Sequence, residues 1–396
     1  VNFELTNEQK QIKKAVMDFV RGEFKRDVVH DLVQKEEYPR HIWKKSSDLG
    51  LPGIAFPESF QGEGMGVLEK VLIAEELCRG DASIGSCLVY AGYGAEILLQ
   101  FGSYSQKKTW LPKIACSEVL SSVAFFEPGI CRLSDIRTVA EKVGNNWVVN
   151  GAKSFVINAG LLAGFYIVLC RANSAGPFPE QALNMILIET DHPGVITADG
   201  QAKMGLRMLA THDVRLDNVC VPIENLVGNE GQGYRQLMNF FNYSQLAVAA
   251  QSVGIAQGAF DRAFAYVKQR KQFGRKIIDF QISQHKLADM ATDIEAARLL
   301  TYQAAWKADN GGMDARLCAM ANLHATRTAL AVCDETIQLL GGYGYMLEYE
   351  VERFFRDAKT VGLMEGSRHV IKNKIFDTLV GKSNHLRNRL QLKEHP

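Results

Sequence analysis

Hydrophobic positions keep a helical period at both ends of the chain and lose it in the middle. Leu5-Thr6-Asn7-Glu8-Gln9 reads as a helix start, in which Thr6 can cap, Gln9 can complete the capping box and Leu5 can act as staple. Ile12, Ala15, Val16, Phe19 and Val20 then recur at helical spacing. Further helical patterns cover roughly 40–50, 67–79 and 88–116, broken by Pro52, Pro57 and the glycines Gly62, Gly64 and Gly66. From about residue 120 the texture changes. Asn146 to Asn150 reads as a strand followed by a turn at Asn150-Gly151. Phe165 to Arg171, Leu183 to Ile188 and His212 to Pro222 are further β-branched runs, separated by Gly, Pro and Asp. After Gly233 the helical period returns over 234–270, 281–309, 313–340 and 364–390, with stops at Asn310-Gly311-Gly312 and Gly341-Gly342-Tyr343-Gly344. Four long helices with short connections predict an antiparallel bundle. The expected class is α+β, with an N-terminal helical domain over 1–119, a mainly antiparallel middle β domain over 120–232 and a C-terminal four-helix bundle over 233–396.

A chain of 396 residues agrees with two to three domains. Lys plus Arg number 45 and Asp plus Glu 44, a net charge of +1, which points away from nucleic-acid or membrane-surface binding. No apolar run approaches the roughly 20 residues that a membrane helix needs. The cysteines, Cys78, Cys87, Cys116, Cys131, Cys170, Cys220, Cys318 and Cys333, are scattered and form no C-x-x-C pair. That usage fits a reducing compartment, and neither the cysteines nor the histidines have the spacing of a metal site. The first residues carry no signal or transit pattern, so the cytoplasm is expected, with the mitochondrial matrix after processing as the alternative.

The familiar phosphate and nucleophile motifs are absent. Gly228-Asn229-Glu230-Gly231-Gln232-Gly233 lacks the strand–turn–helix context of a dinucleotide fingerprint, and no Walker motif or G-x-S-x-G elbow occurs. One acid stands out. Glu365 follows the apolar Val361-Gly362-Leu363-Met364 and precedes Gly366 and a helical pattern. A carboxylate in an apolar setting has its ionised form disfavoured, which suits a general base working near neutral pH. A helix-entry glutamate favoured by the helix dipole is the alternative on this pattern alone.

Several segments, in order and separation, resemble the acyl-CoA dehydrogenase family over nearly the whole chain. The most specific are Arg270-Lys271-Gln272-Phe273-Gly274, Phe280-Gln281, Gln338-Leu339-Leu340-Gly341-Gly342-Tyr343-Gly344, Val351 to Lys359, and Glu365-Gly366-Ser367. Weaker pieces are Pro57-Glu58 with Gly62-Glu63-Gly64, Glu127-Pro128-Gly129, and Asn150-Gly151 with Lys153. The resemblance implies FAD, an acyl-CoA thioester substrate, an electron-transfer flavoprotein as acceptor and a homo-oligomer, dimer or tetramer. It implies that Glu365 takes the α-proton while hydride leaves Cβ for flavin N5, giving a 2-enoyl-CoA. The thioester oxygen would be stabilised by the flavin ribityl hydroxyl and the Glu365 amide, an oxyanion-type arrangement. Gly366 would let the backbone pass close to the acyl chain. Some relatives carry the base on an earlier helix, where this chain has Ser244.

The same resemblance implies that Arg270 meets the FAD pyrophosphate across a subunit boundary, where its planar fork suits phosphate. Phe273, Gln281, Gln338, Gly342 and Ser367 would surround the nucleotide, and Phe126, Phe155 and Ile157 the flavin. Asn242, Gln245, Met364 and Gly366 would lie by the substrate. The chain also departs from the family pattern. Phe126 and Ile157 stand where threonines are usual, Gln245 where an arginine is typical, His369 for a glutamine and Met364 for a tyrosine. The flavin surroundings become more apolar. Two further readings follow: an enoyl-CoA reductase or dehydrogenase of a non-standard acyl thioester, and a non-catalytic partner subunit. Relatives acting on dicarboxylic thioesters carry an arginine near residues 81–90. None is present there, which points away from a free distal carboxylate.

Overall fold

The computed structural model describes residues 4–130, 132–161, 164–172 and 182–381. Cys131 and the end of the expected last helix, 382–390, lie outside them. Among the described residues no helix is long and apolar enough to cross a membrane. By packing, the chain divides into two compact units. Of the described residues, one unit holds those up to Lys13, Val71–Ala82 and those from Asn242 onward; the other holds those within Lys14–Lys70 and Ser83–Phe241.

The first third is helical: α1 (Asn7–Glu23), α2 (Arg26–Lys35), α3 (Arg40–Ser46), α4 (Val67–Gly80), α5 (Ala82–Val89), α6 (Ala95–Phe101) and α7 (Tyr104–Ala115). The capping box at α1 forms as the sequence predicts. Gln9 N–H donates to Thr6 Oγ1 at 3.2 Å, and Thr6 N–H donates to Gln9 Oε1 at 3.0 Å. The pattern over 88–116 resolves into three pieces, because Gly94 (φ +98°) and Gly102 interrupt it. The helix α2 went unread, since only Val28, Val29, Leu32 and Val33 mark its apolar stripe.

The sheet comprises β1 (Leu120–Ala124), β2 (Val139–Val143), β3 (Asn146–Ile157), β4 (Gly164–Ala172), β5 (Leu183–Glu189), β6 (Val195–Thr197) and β7 (Thr211–Pro222). Their order is β1-β4-β2-β3-β7-β6, with β5 on β4. Four pairings are antiparallel, but β4 runs parallel to both β1 and β2. The middle domain is therefore mainly antiparallel, as the sequence predicts, with parallel pairing among the described strands confined to β4. Its strand β4, buried from Gly164 to Cys170, shows the continuous apolar run of a strand covered on both faces. Trp147, Val149, Tyr166, Val168, Ile186 and Leu216 form the core of the sheet. Trp110 of α7 packs on Phe165 at 4.8 Å between ring centroids.

Asn150-Gly151 is not a hairpin turn. The strand β3 continues through it, and the β3–β7 register shifts between Val149 and Gly151. A Cβ at Gly151 would lie 2.4 Å from Thr138 Oγ1, so glycine serves close approach there.

The C-terminal unit is built on α8 (Gly233–Gln269), the hairpin β8 (Lys271–Gln272) and β9 (Arg275–Lys276), α9 (Gln281–Gly311), α10 (Ala315–Leu340), α11 (Val351–Val361) and α12 (Arg368–Leu379). The helices read from 234, 281 and 313 appear with nearly those bounds. The fourth begins at Arg368 rather than 364, because the chain turns at Gly362–Gly366, and α11 precedes it. Residues 71–80 of α4 join this unit. A Cβ at Gly254 of α8 would sit 2.2 Å from Glu75 O, and one at Gly258 would sit 2.3 Å from Arg79 O. These glycines allow the backbones to touch. Buried Glu75 is held by Arg298 Nε at 3.0 Å and Tyr302 Oη at 2.7 Å, and buried Asp81 pairs with Arg353.

Candidate active site

Glu365 sits in the turn between α11 and α12. It is buried at 5% exposure and holds a left-handed backbone with φ +64°. A non-glycine residue in that region costs of order 1–3 kcal/mol and marks sites that the surroundings over-determine. Phe155 (φ +55°) and Phe273 (φ +50°), named from other motifs, share the feature. Met364 and Gly366 beside Glu365 are half-buried. Ser367 has a structural task of its own: as N-cap of α12, its hydroxyl accepts from Val370 N–H at 3.4 Å.

Two residues assigned to the substrate, Asn242 and Gln245, lie on one face of α8, one turn apart. A residue overlooked in the sequence joins them. Lys374 of α12 donates to Asn242 Oδ1 at 2.6 Å and to Gln245 Oε1 at 2.9 Å. Burial pushes the Lys374 ammonium down to about 8. Asn322 of α10 donates to Gln245 O at 3.3 Å. Ser244, in the same turn of α8, is 5% exposed, and among the described residues its hydroxyl has no hydrogen-bond partner.

A second cluster lies at the β8–β9 hairpin. Phe273 and Gly274 (φ +50° and +79°) make a two-residue turn with both φ values positive, the geometry that suits a tight hairpin. The turn carries Phe273 outward, 93% exposed. A cleft of about 830 Å³ is lined by Arg270, Phe273, Phe280, Gln338, Gly342 and Tyr343, among others. The Arg270 guanidinium stands 5.2 Å from the centroid of the Tyr343 ring. Among the described residues no atom lies within 4 Å of a Cβ built at Gly341 or Gly342, which leaves that stretch of backbone open to a ligand. Arg270, Phe273, Gln338 and Gly342 thus come together. Gln281, the first residue of α9, is exposed and does not line the cleft.

The third group lies in the sheet unit. The β3–β7 register shifts again between Lys153 and Val156, which turns Phe155 outward at 63% exposure. Asp213 Oδ1 accepts from Phe155 N–H at 3.1 Å. Ser154 N–H donates to Phe126 O at 3.0 Å, so the segments bearing Phe126 (44% exposed) and Phe155 are tied together. Ile157 differs: it is buried at 6% exposure and pairs with Thr211 across the ladder. The segments that bear the two aromatic rings also share an ion pair that the sequence did not reveal. Lys153 donates to Glu127 Oε1 at 2.8 Å, while Arg137 and Thr138 N–H reach the same carboxylate at 2.7 and 3.0 Å. Burial alone would raise the Glu127 carboxyl. The Lys153 ammonium and the donors from Thr138 and Arg137 outweigh it and hold that carboxyl below its ordinary value.

Family models for the acyl-CoA dehydrogenase N-terminal, middle and C-terminal domains match residues 6–118, 131–219 and 231–380. The chain belongs to the acyl-CoA dehydrogenase family. Members are FAD-dependent oxidoreductases acting on CH–CH bonds. The short-chain specific acyl-CoA dehydrogenase of Clostridium acetobutylicum is 34% identical over 382 residues, 95% of this chain and 100% of that protein. The butyryl-CoA dehydrogenase of Megasphaera elsdenii has a TM-score of 0.91 at 32% identity, covering 96% of this chain and 100% of that one. A glutaryl-CoA dehydrogenase of Mycobacterium smegmatis, solved with FADH2, has a TM-score of 0.89 at 25% identity, covering 96% of each chain. The Arg270 cleft suits such a cofactor chemically. It offers a guanidinium for a diphosphate, aromatic faces for a planar ring and open glycine backbone for close approach.

Proposed function

We propose that this chain is an FAD-dependent acyl-CoA dehydrogenase in which Glu365 removes the α-proton of an acyl-CoA thioester to give a 2-enoyl-CoA. The observation that carries the reading is the Glu365 carboxyl, buried within a left-handed turn between two helices. A buried carboxyl keeps water from competing for the proton it takes, and the fixed turn limits its freedom. The Glu365 backbone N–H serves the thioester oxygen as charge develops there, and Gly366 admits the acyl chain beside it. Arg270, Phe273, Gln338 and Gly342 hold the nucleotide end of FAD, and Phe126 and Phe155 offer aromatic faces toward the ring system. Bound FAD supplies the acceptor for the β-hydrogen. A ring as exposed as Phe273 is better covered by a second copy of the chain, which supports a homo-oligomer sharing the cofactor. An electron-transfer flavoprotein is the proposed acceptor.

The test is a visible absorption spectrum of the purified protein, taken anaerobically before and after a panel of acyl-CoA thioesters. Bleaching of a bound flavin by one of them is expected. A yellow protein that none bleaches, yet which an enoyl-CoA reoxidises after dithionite, would replace this reading with the reductase. A colourless protein that takes up no FAD would overturn it.

Arg270 gives a narrower check. The Arg270→Met variant should bind FAD roughly 10- to 100-fold more weakly, the scale of one lost charge-assisted contact. Gel filtration with flavin absorbance reads the loss. Unchanged flavin content would remove Arg270 from the cofactor site.

A further inference from the structure

The Lys374 ammonium is half-buried, and its hydrogen-bond partners are neutral. Two of its three N–H groups go to the side-chain oxygens of Asn242 and Gln245. Among the described residues no carboxylate lies within 4.0 Å of it, and Asp314 on α10 is engaged as an N-cap by Arg316 and Leu317 N–H. A cation partly withdrawn from water without a counter-charge is costly, and a fold keeps one most readily where a ligand completes it. In the turn of α8 that Lys374 grips, the Ser244 hydroxyl is a buried polar group lacking a partner among the described residues.

We propose that Lys374 is the specificity-determining residue of the substrate site and that the acyl group it recognises ends in a carboxylate. The inference rests on the reading of Asn242, Gln245 and Glu365 as substrate-side residues. It supplies from α12 the cation that residues 81–90 lack. The remaining N–H of Lys374 would make the charge-assisted bond, and Asn242 and Gln245 hold the ammonium in place for it. A neutral acyl chain of similar length would leave the cation uncompensated. Coenzyme A also carries phosphates, so the anion that Lys374 meets has two sources within one ligand, and the test must separate them.

The measurement is calorimetric titration of the flavin-loaded protein with butyryl-CoA, glutaryl-CoA and the pantetheine thioesters of the same two acids, with flavin absorbance followed in parallel. The wild type should bind the glutaryl thioesters more tightly than the butyryl ones in both series. Lys374→Met should weaken glutaryl binding roughly 10- to 100-fold and butyryl binding by much less, so that the preference is lost. Lys374→Arg should keep the preference. Equal loss on both coenzyme A thioesters with none on the pantetheine series would assign Lys374 to a phosphate and overturn the proposal. Equal loss throughout, no loss, or a wild type without the glutaryl preference would overturn it too. Lys374-dependent glutaryl binding without flavin bleaching would instead sink the dehydrogenase reading and leave this one standing.

Discussion

Glu365→Gln is expected to lower kcat by about 100- to 10,000-fold, the usual contribution of a positioned general base. The amide is nearly isosteric, so the turn between α11 and α12 and its left-handed residue are kept, while the group can no longer take a proton. The variant should therefore retain its flavin spectrum and its thermal midpoint, and should still bind acyl-CoA. Stopped-flow bleaching of the flavin reads the chemical step directly. At the alternative place for a base on α8 the chain carries Ser244 and no carboxylate. A hydroxyl there cannot replace an ionised acid at neutral pH. A Glu365→Gln protein that bleaches at the wild-type rate would remove Glu365 from the base role. One that loses its flavin as well would mean that the turn, and not the proton transfer, had been damaged.

What the sequence made legible follows from the length over which a signal is repeated. The helices α8, α9 and α10 hold a 3.6-residue period for many turns, and their bounds were read to within a few residues. The strands β1, β2 and β6 are three to five residues long and carry too few alternations to be told from loops. Asn150-Gly151 misled because the dipeptide that marks a hairpin also fits a bulge in a continuing strand. What decides between them is Thr138, pressed against Gly151 from β2's approach. The candidate site was legible as motifs, since Arg270, Phe273 and Glu365 stand within recognisable runs. It was not legible as contacts. On an amphipathic helix Lys374 reads as one more solvated lysine, and its partners lie on α8, far away in the chain. The bond between Lys153 and Glu127 was hidden for the same reason, although both residues had been picked out as fragments of separate motifs.

That pair leads to the largest effect expected on stability. Lys153→Met should destabilise the sheet unit by about 3–5 kcal/mol, because it leaves the Glu127 carboxylate buried without its counter-ion. Lys153 is fully buried and Glu127 nearly so, which leaves little water to screen the loss. Adding Glu127→Gln should recover part of the deficit: a neutral amide oxygen still accepts from one of the Arg137 and Thr138 N–H groups and carries no charge. A double variant as unstable as the sum of the two single ones would show that the pair is not coupled. The effect should depend on pH with a definite sign. The Glu127 carboxyl is held below its ordinary value in the folded protein, so its contribution is complete above the unfolded value. It is lost as pH falls through the lowered folded value. The gap between wild type and Lys153→Met, read from urea unfolding, should therefore be constant at neutral pH and narrow in acid. The consequence reaches the proposed flavin wall. Glu127 follows Phe126 directly, Lys153 precedes Phe155 by two residues, and Ser154 N–H ties the segments together. Loosening the pair frees both rings from a common anchor, so Lys153→Met should also lose flavin on dilution. Unaltered flavin retention in a measurably destabilised variant would separate the ion pair from the site and confine it to holding the sheet.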